Sequence, residues 1–121
     1  MLKVKADQAK NLLTMTFSGH VTPEEMKAED EKIKTLLAGL QPGFRLLTDL
    51  TPLESMDPAC RPYISRNMDQ FSKKDISKVV RVIPDPRKDI GLNILSVFHY
   101  PRRTGIVTCK TLAEAAVLLG E

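Results

Sequence analysis

The residues of this chain most able to do chemistry gather at one junction, RLLTDLTPLESMDPACR (residues 45–61), and in the run just after it. Cys60-Arg61-Pro62-Tyr63-Ile64-Ser65-Arg66 holds a thiol and a guanidinium at Cys-x5-Arg spacing. At a helix N-terminus the dipole favours a thiolate, the arginine would clamp a phosphate, and Asp57 would serve as acid. A loop that wraps an anion needs backbone amides and small residues. This one has no glycine, and Pro62 removes a donor. On a continuous helix Cys60 and Arg66 point in different directions, about 600° apart in rotation. Tyr63 and Ile64 read instead as core positions of an amphipathic helix.

The remaining reactive side chains exclude more than they offer. His20 and His99 lie far apart with no Cys or carboxylate at ligand spacing, so no metal site is expected. Neither has a serine or cysteine partner in view, and no Gly-x-Ser-x-Gly elbow occurs. No phosphate loop surrounds Gly91, and no cofactor is expected. Cys60 and Cys109 fall on different elements and read as free buried thiols of a reducing compartment. The net charge of +3 is mildly basic. Lys73, Lys74, Lys78, Arg81, Arg87, Lys88, Arg102 and Arg103 read as a solvated surface in the second half of the chain. Aromatics make up 5% of residues and no nucleic-acid module is present, so nucleic acid is not an expected partner. No apolar run reaches the roughly 18 residues that a membrane span needs, and the first residues carry no signal-peptide core. A cytoplasmic protein is expected.

The elements that position these residues follow from periodicity. Residues 2–6 and 11–18 alternate and read as a hairpin across the polar DQAKN. Thr22, Pro23 and Glu25 spell a capping box that opens a helix, whose apolar face is Met26, Ile33, Leu36, Leu37 and Leu40. Gln41-Pro42-Gly43 ends it. FRLLTDL (44–50) is a strand, residues from about 58 to 73 a second helix with Cys60, Ile64, Met68 and Phe71 on one face, and KVVRVI (78–83) another strand. Asp85-Pro86 is expected to start a third helix that runs to about Phe98. RRTGIVTC (102–109) is the last strand, and Thr111-x-x-Glu114 caps the helix LAEAAVLL. The order ββαβαβαβα implies a single domain, residues 1–121, built as an α/β mixed five-stranded sheet with helices.

That order, with Asp49-Leu50-Thr51 at a strand end and Asp57 eight positions on, resembles the STAS superfamily. STAS domains carry an apolar strand ending Asp-Leu-Ser, a short loop, then Asp-Ser-Ser-Gly opening a helix. The closer resemblance is to its SpoIIAA-like (STAS/SEC14-like) group of short bacterial proteins. It rests on Gly-His-Val-Thr before the first long helix, the LLTDL strand, VVRVI, and the C-terminal Thr-x-x-Glu-Ala helix. The likeness of that group to SEC14-type lipid-binding domains implies an apolar ligand. In anti-sigma-factor antagonists the serine after the loop aspartate accepts phosphate and switches partner binding. Here that position is Pro58, Ala59 and Cys60 follow, and Ser55 lies two residues before Asp57 in the loop. The resemblance thus implies the fold without the serine switch, and leaves Asp57 to cap the helix start.

The third helix carries two apolar stripes, Ile90, Ile94 and Val97 on one side and Leu92, Leu95 and Phe98 on another, more than one sheet contact buries. Gly91 and Pro101 flank it and would let it shift as a unit. The sequence therefore predicts a non-enzymatic binding or interaction module. Its expected ligand or partner surface is Asp57, Leu92, Leu95 and Phe98. The expected partners are a second copy of the chain, an amphiphilic or lipid-like ligand, or another protein. The alternative from a different class is a cysteine-dependent phosphatase or sulfurtransferase using Cys60 and Arg66. Incubation with an anti-sigma-factor kinase should leave the intact mass unchanged, and stoichiometric phosphate mapped to Ser55 or Thr51 would overturn that expectation.

Overall fold

The computed structural model describes residues 1–120. Strands β1 (Leu2–Asp7) and β2 (Leu12–Phe17) form the N-terminal hairpin, followed by a short strand β3 (Gly19–Val21) and helix α1 (Pro23–Ala38). Next come β4 (Arg45–Asp49), β5 (Leu53–Met56) and a 3-10 turn over Pro58–Cys60 that leads into α2 (Arg61–Lys73). Strand β6 (Lys78–Val82), helix α3 (Leu92–His99), strand β7 (Gly105–Cys109) and helix α4 (Leu112–Leu119) complete the chain. The main sheet has the order β1-β2-β4-β6-β7, antiparallel only at the β1–β2 hairpin. The mixed five-stranded α/β sheet is the one the sequence predicts.

Local signals explain where the elements begin. The amide of Glu25 donates to Thr22 Oγ1 at 3.4 Å and the amide of Thr22 to Glu25 Oε2 at 3.3 Å, so both halves of the α1 capping box are made. Glu114 N likewise donates to Thr111 Oγ1 at 3.1 Å at the start of α4. These bonds satisfy amides that the first helical turn leaves unpaired.

Side chains alternate across the sheet and meet helices on both faces. Leu13, Leu46 and Val79 lie in one row, Met15, Thr48 and Arg81 in another, and both rows face the core under α1, α2 and α3. Val80, Val82, Leu12 and Cys109 face the opposite side, where α4 supplies Ala115 and Leu119. Phe44 and Phe71 meet edge to face in the first core, their ring centroids 5.9 Å apart.

Three expectations need correction. The third helix does not run from Asp85 to Phe98. Pro86–Lys88 is a separate 3-10 turn, capped by Asp85 Oδ1 accepting from Arg87 N at 3.0 Å. Ile90 and Gly91 then adopt left-handed φ values of 54° and 82°, which no continuous helix tolerates, so α3 starts only at Leu92. The last strand begins at Gly105 rather than Arg102, because Thr104 N turns back onto Pro101 O at 3.0 Å. Finally, β3 and β5 pair as a parallel two-stranded sheet that the sequence reading lacked. Phe44 is fully buried against Phe71, so Phe44→Ala should cost about 3–5 kcal/mol in urea unfolding. Exposed Val117→Ala should change stability by about 0.5 kcal/mol or less in the same experiment.

Candidate functional site

At the junction the strand end and the helix start are held by carboxylates that accept backbone protons. Asp49 Oδ1 accepts from Thr51 N and Asp57 Oδ1 from Ala59 N, each at 2.9 Å. Asp57 is thus the cap of the 3-10 turn, with its own amide donating to Val21 O at 3.0 Å. Cys60 lies at the end of that turn, fully buried, its thiol donating to Val21 O at 3.6 Å. Burial pushes the Cys60 thiol up, and the nearby carboxylates of Asp57, Glu25 and Glu24 push it further. This is the reverse of what a nucleophilic thiolate requires. Arg66 is exposed, and its guanidinium lies 5.2 Å from the centre of the Tyr63 ring. Cys60 and Arg66 thus serve separate packing contacts.

The two histidines do have partners, contrary to the sequence reading. His20 Nδ1 lies 2.7 Å from Ser55 Oγ because β3 pairs with β5 in the register His20↔Ser55. His99 Nδ1 lies 2.8 Å from Asp69 Oδ1 on α2. Both contacts span thirty or more residues and left no local sequence signal. Among the described residues, no group of three or more His, Cys, Asp or Glu side chains could hold a metal ion.

A second place with chemical character lies beneath α3. A cavity of about 30 Å³ opens between the sheet, α2 and α3, walled mainly by Met15, Leu46, Met68, Phe71 and Leu92. Four polar side chains break this apolar lining: Thr48, Asn67, Arg81 and Tyr100. Arg81 is 1% exposed and was read from sequence as a surface cation. Its position on β6 sends it inward beside Val79, and the guanidinium reaches α3. Arg81 Nη1 donates to Asn93 Oδ1 at 3.2 Å, and Nη2 donates to Ser96 Oγ. Ser96 in turn donates to Leu92 O at 2.7 Å. Burial pulls the Arg81 guanidinium below its ordinary range, with Tyr100 and then Asp89 opposing that pull. Burial also drives the Tyr100 phenol well above its usual value, so it remains a neutral hydroxyl.

The structure distributes the expected surface residues unevenly. Leu92 is buried and lines the cavity, Leu95 is half-buried against the core, and Phe98 is 77% exposed. Ile94 and Val97, assigned to the other stripe, are 65% and 77% exposed beside Phe98. Asp57 does not line the cavity. The alternation of KVVRVI holds the signal for Arg81, since an arginine between Val79 and Ile83 shares their inward face.

An open-edged α/β domain with one antiparallel and four parallel-connected strands is a common class, and its particular version is recognisable. The chain matches no protein-family model and no curated protein. Among solved structures it is similar to an uncharacterised DUF3478-family protein with a SpoIIAA-like fold from Shewanella loihica PV-4. That match has a TM-score of 0.73 at 15% identity and covers 98% of this chain and 92% of that one. It is also similar to the Bacillus cell fate determinant SpoIIAA in its phosphorylated form, with a TM-score of 0.67 at 13% identity over 98% and 99% of the two chains. An anti-sigma factor antagonist from Mycobacterium paratuberculosis matches with a TM-score of 0.61 at 18% identity over 100% and 94%. The fold is therefore SpoIIAA-like. No helix among the described residues is long and apolar enough to cross a membrane.

The thiol environment makes a direct test. Cys60→Ser should leave any turnover of phosphate esters or thiosulfate unchanged from the parent, whereas loss of robust turnover on substitution would identify a thiolate enzyme.

Proposed function

We propose that this chain is a non-enzymatic, cytoplasmic binding module that holds an amphiphilic ligand between the sheet and α3, without a phosphorylatable serine switch. The observation that carries this reading is the cavity under α3. It is walled by apolar side chains, has a few converging polar groups, and is closed by a helix that leaves Ile94, Val97 and Phe98 exposed. Ligand sites have this make-up, usually at about 300–1,000 Å³. At about 30 Å³ the cavity has room for water but not for a chain, so the ligand enters as α3 shifts outward. The segment before α3 supports such a shift. Ile90 is a β-branched residue in the left-handed region, a conformation that costs about 1–3 kcal/mol, and Gly91 continues it. The absent switch is supported by Pro58, which has no hydroxyl and opens the 3-10 turn.

The exposed trio Ile94, Val97 and Phe98 favours a second reading, in which the same helix meets a second copy of the chain or another protein. The neighbours that are anti-sigma factor antagonists lend weight to a protein partner. Two measurements separate the readings. A titration with the fluorescent fatty acid cis-parinaric acid should show saturable binding by the parent protein. Ile94→Glu combined with Phe98→Glu should retain the fold, abolish any self-association seen by light scattering, and leave the buried cavity lining unaltered. A parent that is strictly monomeric at high concentration and binds no amphiphile would remove both readings.

A further inference from the structure

Arg81 is a buried cation with no carboxylate in direct contact. Its terminal nitrogens donate only to the neutral oxygens Asn93 Oδ1 and Ser96 Oγ, and among the described residues no ion pair within 4.0 Å involves it. A guanidinium stays charged even when buried, so this arrangement keeps a full charge in an apolar core on two neutral hydrogen bonds. An uncompensated buried charge is among the costlier features a fold can contain. The field of the Asp89 carboxylate reaches it, yet the two form no direct ion pair. Asp89 Oδ1 accepts from Asn93 N at 3.3 Å, and its Oδ2 is buried with no hydrogen-bond partner. Around the same cavity, Thr48, Asn67 and Tyr100 add polar side chains to the lining.

We infer that Arg81 is the head-group anchor for an amphiphile with a carboxylate end, whose two oxygens take the places on the guanidinium that Asn93 and Ser96 fill while α3 is closed. The inference rests on the amphiphile reading and names the chemistry of its ligand. The match is geometric as well as electrostatic. Nη1 and Nη2 each already hold one oxygen, and a carboxylate presents two oxygens to the guanidinium fork at once. Both present acceptors belong to α3, so outward movement of that helix frees them together. Asn67 and Tyr100 remain as donors beside the incoming head, while Met15, Leu46, Met68 and Phe71 line the path of the alkyl chain. Arg81 is the one cation in the lining.

The test compares cis-parinaric acid with its methyl ester, which keeps the chain and removes the charge, on the parent, Arg81→Met and Arg81→Lys. The parent should bind the acid at least about tenfold tighter than the ester. Arg81→Met should bind both at the affinity of the ester, and Arg81→Lys should retain part of the preference because it keeps the charge without the fork. Arg81→Met should also melt no lower than the parent, since an apolar side chain removes an uncompensated buried charge. A lower Tm for Arg81→Met would instead make Arg81 a structural strut and overturn the inference. Equal binding of acid and ester by the parent would overturn it too while leaving the amphiphile reading standing. If neither probe binds, both fall. Displacement of the bound acid by dodecyl phosphate more readily than by laurate would reject the carboxylate head in favour of a phosphate.

Discussion

Strand β6 has to be hidden on both faces, and most of the architecture follows from that. Val79 and Arg81 face one side, Val80 and Val82 the other, and none of the four is more than 1% exposed. Its neighbours β4 and β7 run parallel to it, so each connection is a crossover that can deliver a helix to a face. An apolar helix would be enough to cover Val79. Arg81 demands more, because a guanidinium in the core must find oxygen acceptors. The helix that closes over it is LNILSVFH, an apolar sequence interrupted by Asn93 and Ser96, the two residues that receive the guanidinium. Asn93 and Ser96 on α3 thus answer one buried charge on an interior strand.

The outer strands carry a lighter requirement. In β1, Leu2 and Val4 are buried while Lys3 and Lys5 are exposed, the pattern of a strand covered on one face only. Helix α1 covers that face, and α4 packs on β6 at the other side of the sheet. Lysines on an edge strand discourage pairing with another sheet edge. The two cores are unequal as a result. The larger gathers under three helices, and the smaller under α4 alone.

What the sequence made legible was what local spacing determines. Thr22 and Glu25, or Thr111 and Glu114, lie three residues apart and meet within one turn, so their caps could be read directly. The five strands of the main sheet declared themselves through β-branched and alternating runs. The start of α3 was misplaced because Asp85 and Pro86 do form a cap and a first turn, but of a 3-10 segment that Ile90 and Gly91 then break. Strands of three and four residues leave too little pattern to see, so β3, β5 and the His20–Ser55 contact they create went unread. Arg81 failed for another reason. Charge argued for the surface and strand alternation for the core, and the interior place of β6 in the sheet, between β4 and β7, decided between them. For the expected site, Leu92 reached the cavity and Phe98 the outer surface, because the true register of α3 turns Ile94, Val97 and Phe98 outward together.

The docking of the same helix is only lightly secured by apolar burial. The helix buries Leu92 and Ser96 but leaves three large apolar side chains largely in water, each of which would gain about 1.5–3 kcal/mol if fully covered. Left-handed Ile90 adds local strain of about 1–3 kcal/mol at its start. At its other end the helix is held by Ser72 Oγ, which donates to His99 O at 2.8 Å, and by the contact of His99 with Asp69. Segments so held open locally at a fraction of the free energy of global unfolding. Opening would also cost Arg81 both of its acceptors at once. A ligand that carries its own acceptor removes that penalty, and one without an acceptor does not. Closed and open positions of α3 would then differ in their affinity for charged and neutral amphiphiles, and that difference is the free energy by which a ligand shifts the population between them.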